Sequence, residues 1–182
     1  MDKQRLVQTA RALVAEGKGI LAADESSGTI KRRFDSINVE STEDNRRNYR
    51  EMLFRTAGVD EFISGVILFD ETIRQDAADG TSMVKVLSDR GIIPGIKVDK
   101  GTVPLPEASD ELVTEGLDGL RDRLKEYNDL GAGFTKWRAV ISISDNTPTS
   151  YGLAANAHAL ARFAALSQEA GLVPIVEPEV LR

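Results

Sequence analysis

Residues 172 to 182 read LVPIVEPEVLR, and the fold turns on how that stretch is read. Val173 to Val176 is an apolar, β-branched run of the kind that fills a buried strand. It delivers Glu177 and Glu179, whose i, i+2 spacing projects both carboxylates to one side of an extended chain. A strand that buries its body and ends in paired charges is displaying a site.

The same pattern recurs upstream. Ile20 to Ala23 is a short apolar run that ends on Asp24, and Phe62 to Phe69 ends on Asp70 and Glu71. Ile92 to Val98 carries Lys97 and leads to Asp99; Phe134 to Ile143 carries Lys136 and Arg138. Segments of helical spacing separate these runs: 3–16, closed by Gly17 and Gly19; 41–57, with Ser41 or Thr42 as cap and Gly58 as stop; 82–91; 117–130; and 150–170, stopped by Gly171. Ser26 to Thr29 reads as a turn, and the prolines of 101–110 read as loop.

Strands that alternate with helices make a parallel βαβ series, either an open doubly wound sheet or a closed (β/α)8 barrel. No G-x-G-x-x-G follows the first strand, which weakens the nucleotide-binding sheet. Charge at the C-terminal end of nearly every strand favours the barrel, because barrels assemble their sites on that face. With no internal repeat, low-complexity segment or linker, residues 1–182 are expected to form one α/β domain.

Composition narrows the function. The chain has 182 residues, 41% hydrophobic and 29% charged, enough for one sizeable core in a soluble protein. Its net charge of -6 argues against nucleic acid or an anionic membrane as a general partner. Without cysteine there is no disulfide framework, thiolate nucleophile or cysteine zinc site, and His158 is the one histidine, so a His-based metal site is not expected. The charged MDKQR start lacks the apolar core of a secretory signal, and no run of about 18 apolar residues appears that could span a membrane. The compartment expected is the cytoplasm.

Buried charges must pair or face a wet cavity. Lys97 and Asp99 share a face, as do Lys136 and Arg138, so a closed barrel gathers two lysines, an arginine and several carboxylates at one mouth. That cluster suits an anionic substrate and acid–base chemistry. For any single member an ion-pair network at a strand rim explains the charge equally well; the series as a set argues for a site. His158 lies in an Ala/Leu helix and reads as a helix-face residue, and Trp137, opposite in phase to Lys136 and Arg138, reads as packing between strand and outer helices.

The segments LAADESSGTIKRRF (21–34), GVILFDETIRQ (65–75), GIKVDKG (95–101), FTKWR (134–138), NAHALARFA (156–164) and PIVEPEVL (174–181) carry a resemblance to class I fructose-bisphosphate aldolase, in the right order and over essentially the whole chain. The resemblance implies a (β/α)8 barrel that cleaves fructose 1,6-bisphosphate to dihydroxyacetone phosphate and glyceraldehyde 3-phosphate through a lysine Schiff base, with no metal and no cofactor. By motif, Asp24 matches the carboxylate that assists proton transfer at carbon–carbon cleavage. Lys136 matches the lysine that stabilises charge, with Arg138 beside it; Glu177 matches the acid–base group that dehydrates the carbinolamine, and Glu179 its neighbouring carboxylate. Lys97 resembles the lysine near the sugar phosphate, while Ser26, Thr29 and Arg33 lie in the loop expected at the far phosphate.

The same resemblance places the Schiff-base lysine at the end of a sixth strand. No lysine here lies in that motif, and a whole barrel runs to about 250 residues. The chain is therefore expected to be the N-terminal part of such a barrel, its first five strands, inactive or nearly so alone. The partners implied are a phosphorylated ketose and either a homo-oligomer, tetrameric in the family, or a complementing C-terminal segment. A non-catalytic module that binds phosphosugar or that segment is the alternative.

Overall fold

The computed structural model describes residues 2–108 and 110–181. Met1, Ser109 of the expected 101–110 loop, and Arg182 of the opening stretch lie outside the described residues. The chain runs α1 (Lys3–Leu13), β1 (Gly19–Ala23), α2 (Ser27–Asp35), α3 (Glu43–Arg55), α4 (Val59–Phe62), β2 (Ile63–Leu68), α5 (Asp70–Ile73), α6 (Met83–Ser88) and β3 (Ile93–Lys97). It continues with β4 (Thr102–Pro104), β5 (Leu112–Thr114), α7 (Leu120–Asp129), β6 (Phe134–Ser142), α8 (Ser150–Glu169) and β7 (Val173–Leu181).

Strands β1-β2-β3-β6-β7 pair in that order, all parallel, into a sheet curled as the first five strands of a (β/α)8 barrel. Parallel pairing throughout puts every C-terminal strand end on one rim.

The period of two divides each strand between two environments. Outward-facing Val66, Leu68, Ile96, Val98, Trp137 and Ala139 meet Leu87, Leu120, Leu124 and Phe163 of the helical layer in the main core. Trp137 is fully buried and stacks on Phe163 with ring centroids 5.5 Å apart, as its phase in the strand implied. Inward-facing Ile67 and Phe134 form a smaller cluster with Leu13 of α1, which plugs the bottom of the curled sheet. Two glycines make room for that plug. A Cβ at Gly95 would fall 2.3 Å from the Phe134 ring, and one at Gly65 would fall 2.6 Å from Leu13. His158 is exposed on α8.

Three local readings change. Residues 101–110 are not simply loop: β4 pairs antiparallel with β5 in a hairpin, where the prolines stand at a strand end and beyond it. Ser26 is the N-cap of α2, accepting from the Thr29 N–H, so Ser27 to Thr29 are the first helical turn and not a free turn. The run Val173 to Val176 is only half-buried, with Val176 46% exposed, because β7 has a sheet neighbour on one side only among the described residues. The strand also continues to Leu181, so Glu177 and Glu179 are strand residues with register partners.

Candidate active site

Parallel register brings the charged residues together. Lys97 on β3 stands opposite Lys136 on β6, and Arg138 stands opposite Glu177 on β7. Each cation of β6 reaches the carboxylate one step farther along. Lys136 Nζ lies 3.2 Å from Glu177 Oε1, and Arg138 Nε lies 3.1 Å from Glu179 Oε2. Lys136 Nζ also donates to Asp24 Oδ2 at 3.1 Å, joining the end of β1 to β6 across 112 positions of sequence.

The Lys136 ammonium is thus held between two carboxylates with only 9% of its side chain exposed. Burial works against its charge, but Asp24, then Glu177, and their hydrogen bonds outweigh that, so its pKa lies above the ordinary lysine value. Imine formation needs the neutral amine, so carboxylates that hold this lysine charged disfavour it as the group that attacks a ketone. It can steady developing negative charge and pass hydrogen bonds between Asp24 and Glu177.

Lys97 Nζ donates to the buried Asp99, which also accepts the Gly101 N–H at 3.1 Å. The β4–β5 hairpin steadies the next step of the rim: Thr114 Oγ1 donates to the Arg138 carbonyl at 2.7 Å, and Asn156 Nδ2 of α8 donates to the Leu112 carbonyl at 2.9 Å. A cleft of about 690 Å³ opens above the sheet, lined by Asp24, Ser26, Thr29, Arg33, Lys97, Lys136 and Arg138 among others. Glu177 and Glu179 stand at its side on β7, joined to it through Lys136 and Arg138. The Ser26 and Thr29 hydroxyls lie 3.2 Å apart at the start of α2, and Arg33 is paired with Glu25. The nine residues matched by motif from the sequence therefore gather on one side of the sheet.

Sequence reading named Asp70 and Glu71 but missed the partners that stand behind them. Asp70 accepts from Tyr127 Oη at 2.7 Å and from Arg74 at 3.0 Å. Burial alone would raise the Asp70 pKa; those hydrogen bonds and the Arg74 charge take it below the ordinary value. From α3, Arg46 grips Glu71 with two hydrogen bonds, and Arg50 is completely buried against the end of β1. A signal for Arg50 did exist: with Phe54 it forms the buried stripe of α3, an arginine at a core position of an amphipathic helix.

Residues 5–182 match the family model described as "Fructose-bisphosphate aldolase class-I". The chain belongs to the class I fructose-bisphosphate aldolase family. It is 60% identical over 181 residues to the "Probable fructose-bisphosphate aldolase class 1" of Xanthomonas campestris pv. campestris, covering 100% of this chain and 54% of that relative. It is 56% identical to "Fructose-bisphosphate aldolase 1" of Toxoplasma gondii, covering 98% of this chain and 50% of that one. A solved structure of fructose-bisphosphate aldolase from Plasmodium falciparum, in complex with TRAP and a small-molecule inhibitor, superposes with a TM-score of 0.96 at 52% identity, over 98% of this chain and 52% of its own. The chain spans about half the length of the aldolases it matches. Among the described residues no helix is long and apolar enough to cross a membrane.

Proposed function

We propose that this chain supplies the acid–base groups and part of the phosphate site of an aldolase that cleaves fructose 1,6-bisphosphate reversibly through a lysine Schiff base. The observation that carries this reading is Lys136 Nζ on β6, 3.1 Å from Asp24 just past β1 and 3.2 Å from Glu177 on β7. In this reading a neutral amine attacks the C2 ketone, and Glu177 donates the proton with which the carbinolamine loses water. Asp24 then accepts the C4 hydroxyl proton as the C3–C4 bond breaks, and the electron pair is drawn into the iminium. The Lys136 ammonium steadies the charge that develops between them. Lys97 and Arg138 at one side, and Ser26, Thr29 and Arg33 at the other, offer the separated donors that two phosphates require.

The nucleophile belongs to a sixth-strand motif that none of these lysines occupies, so in this reading it comes from a segment other than these 182 residues. The chemistry needs no metal, and we place the protein in the cytoplasm, where an Arabidopsis thaliana relative is named as cytosolic. Borohydride trapping with dihydroxyacetone phosphate tests the division of labour. The isolated polypeptide should remain unmodified, and turnover should appear when the matching C-terminal segment of a relative is added. A covalent adduct on this polypeptide alone overturns the assignment of the nucleophile, and loss of the restored activity in EDTA overturns the metal-free mechanism. In the restored enzyme, D24N and E177Q should each lower turnover by roughly 10²–10⁴-fold.

A second reading, a non-catalytic module that captures a complementing segment, is favoured by one observation. The edge strand β7 leaves Val176, Val180 and Leu181 about half exposed. Binding of the added segment with no turnover would select it.

A further inference from the structure

Arg50 is 0% exposed, an unusual place for a guanidinium, and burial pushes its pKa below the ordinary arginine value. The groups facing it are Glu25, Glu71, Arg46 and Tyr49, with the Phe69 ring 5.8 Å away. Its carboxylate partners are not close. Glu25 Oε2 lies 3.9 Å and Glu71 Oε2 3.8 Å away, and neither contact is a hydrogen bond. The hydrogen bonds it does make go to main chain: Nε donates to the Ala23 carbonyl at 3.2 Å, and Nη2 to the Glu25 carbonyl at 2.7 Å.

Those two carbonyls flank Asp24. Ala23 is the last residue of β1 and is in register with Leu68 on β2, whereas Asp24 and Glu25 lie beyond that pairing, so the sheet register does not extend to Asp24. A planar guanidinium can hold two carbonyls at once in a fixed fork, whereas a lysine's donors all radiate from one atom on a flexible stem. If the helix only had to be fastened to the sheet, an apolar residue would do so at lower desolvation cost.

We propose that Arg50 is a positioning residue, which holds the backbone on both sides of Asp24 so that its carboxylate meets Lys136. The role rests on the reading of Asp24 and Lys136 as members of one acid–base site. Arg46, one turn earlier on α3, steadies the brace by fixing Glu71, the carboxylate on the other side of the Arg50 guanidinium. Without the brace, Asp24 moves off the ammonium, and one of the two charges that keep Lys136 protonated is lost; Glu177 remains.

The readout is the titration of Lys136 in the full 182-residue chain with lysine labelled at Cε with ¹³C, its resonance assigned with K136R. D24N should lower the Lys136 midpoint. R50K should lower it in the same direction by most of the D24N shift, and D24N/R50K should add nothing to D24N alone. Near-ultraviolet dichroism of Trp137, the chain's one tryptophan, reports whether each variant keeps its packing. Should R50K fail to fold, E71Q loosens the same brace from its more exposed side, and a smaller shift of the same sign is expected. A folded R50K, or in its place E71Q, whose Lys136 titrates as in the parent chain overturns the brace, as do D24N and R50K shifts that simply add. If D24N itself leaves Lys136 unmoved, the Asp24–Lys136 reading fails first and the brace with it.

Discussion

The two ends of the rim use the same residue types to opposite effect. At the β1–β2 end, Glu25 lies between Arg33 and Arg50, and Glu71 lies between Arg46 and Arg50, with Arg50 buried completely and Glu25 only 7% exposed. At the β6–β7 end, Arg138 and Glu179 form a single pair with 45% and 40% of their side chains exposed. Short contacts occur at both ends, so distance does not separate the Arg50 cluster from the Arg138–Glu179 pair; burial does. A charge that is buried needs all its partners, while one in solvent can leave its partner for little and take another. The Arg50 cluster is therefore held in place, while the Arg138–Glu179 pair is free to part, as the phosphate role proposed for Arg138 requires.

The largest effect expected from this contrast is at Arg50. R50M leaves Glu25 and Glu71 without their shared cation and the Ala23 and Glu25 carbonyls without donors. Removing one member of a buried charge group costs about 3–5 kcal/mol. Urea denaturation should show that loss as a lowered midpoint at unchanged slope. A loss below about 1 kcal/mol would place Arg50 among the exposed pairs and remove the difference between the ends.

Next in size is the packing beneath the middle of the rim. G95A drives a methyl group into the Phe134 ring, where the gap is 2.3 Å, and overpacking of this kind costs about 1–3 kcal/mol. F134L in the same chain should recover part of the loss. If G95A is neutral, the inner plug yields readily and the lysines above it are less firmly based than Phe134 suggests.

The contrast between the two ends was half legible in the sequence. Period-two spacing placed Lys136, Arg138, Glu177 and Glu179 on inner faces, because strand phase is a local property. Apolar runs ending in charge marked the C-terminal rim for the same reason. What pairs with what depends on register between strands far apart in sequence, and Asp24 meets Lys136 only once β1 and β6 lie in one curled sheet. Arg50 was passed over because arginine in a charged helix reads as solvated surface until its stripe is drawn through Phe54. The β4–β5 hairpin was missed because three-residue strands with prolines carry almost no periodic signal.

Acid should act on the β1–β2 end through Glu71. Hydrogen bonds from Arg46 hold the Glu71 pKa below the ordinary carboxylate range; burial opposes this, and the charges of Arg46 and Arg50 reinforce it. A carboxylate depressed in the folded state adds stability that is present above its unfolded value, about 4.3, and is lost as pH falls through the folded value. E71Q should therefore be less stable than the parent chain at neutral pH, and the two stability curves should converge on acidification. Parallel curves down to pH 2 would mean that Glu71 contributes nothing through its charge.

The smallest effect on stability, and the most telling about function, is expected at Arg138. A pair exposed to this extent is worth about 0–1 kcal/mol, which for a chain of this size moves the melting temperature by less than about 4 °C. R138A should stay within that range, and R138A/E179A should match the sum of its single variants, because the pair carries little coupling. Ligand binding should respond differently. If Arg138 leaves Glu179 for a phosphate, R138A should weaken the affinity of this chain for fructose 1,6-bisphosphate about tenfold by calorimetry, the equivalent of about 1.4 kcal/mol. E179A should strengthen it, since it frees the same guanidinium from a competing anion. Opposite signs for the two members of one ion pair would separate a pair held in reserve for ligand from a merely structural one, in which both truncations act alike. Should E179A weaken binding as R138A does, the β6–β7 end is braced like the β1–β2 end, and the exchange of partners assigned to it is wrong.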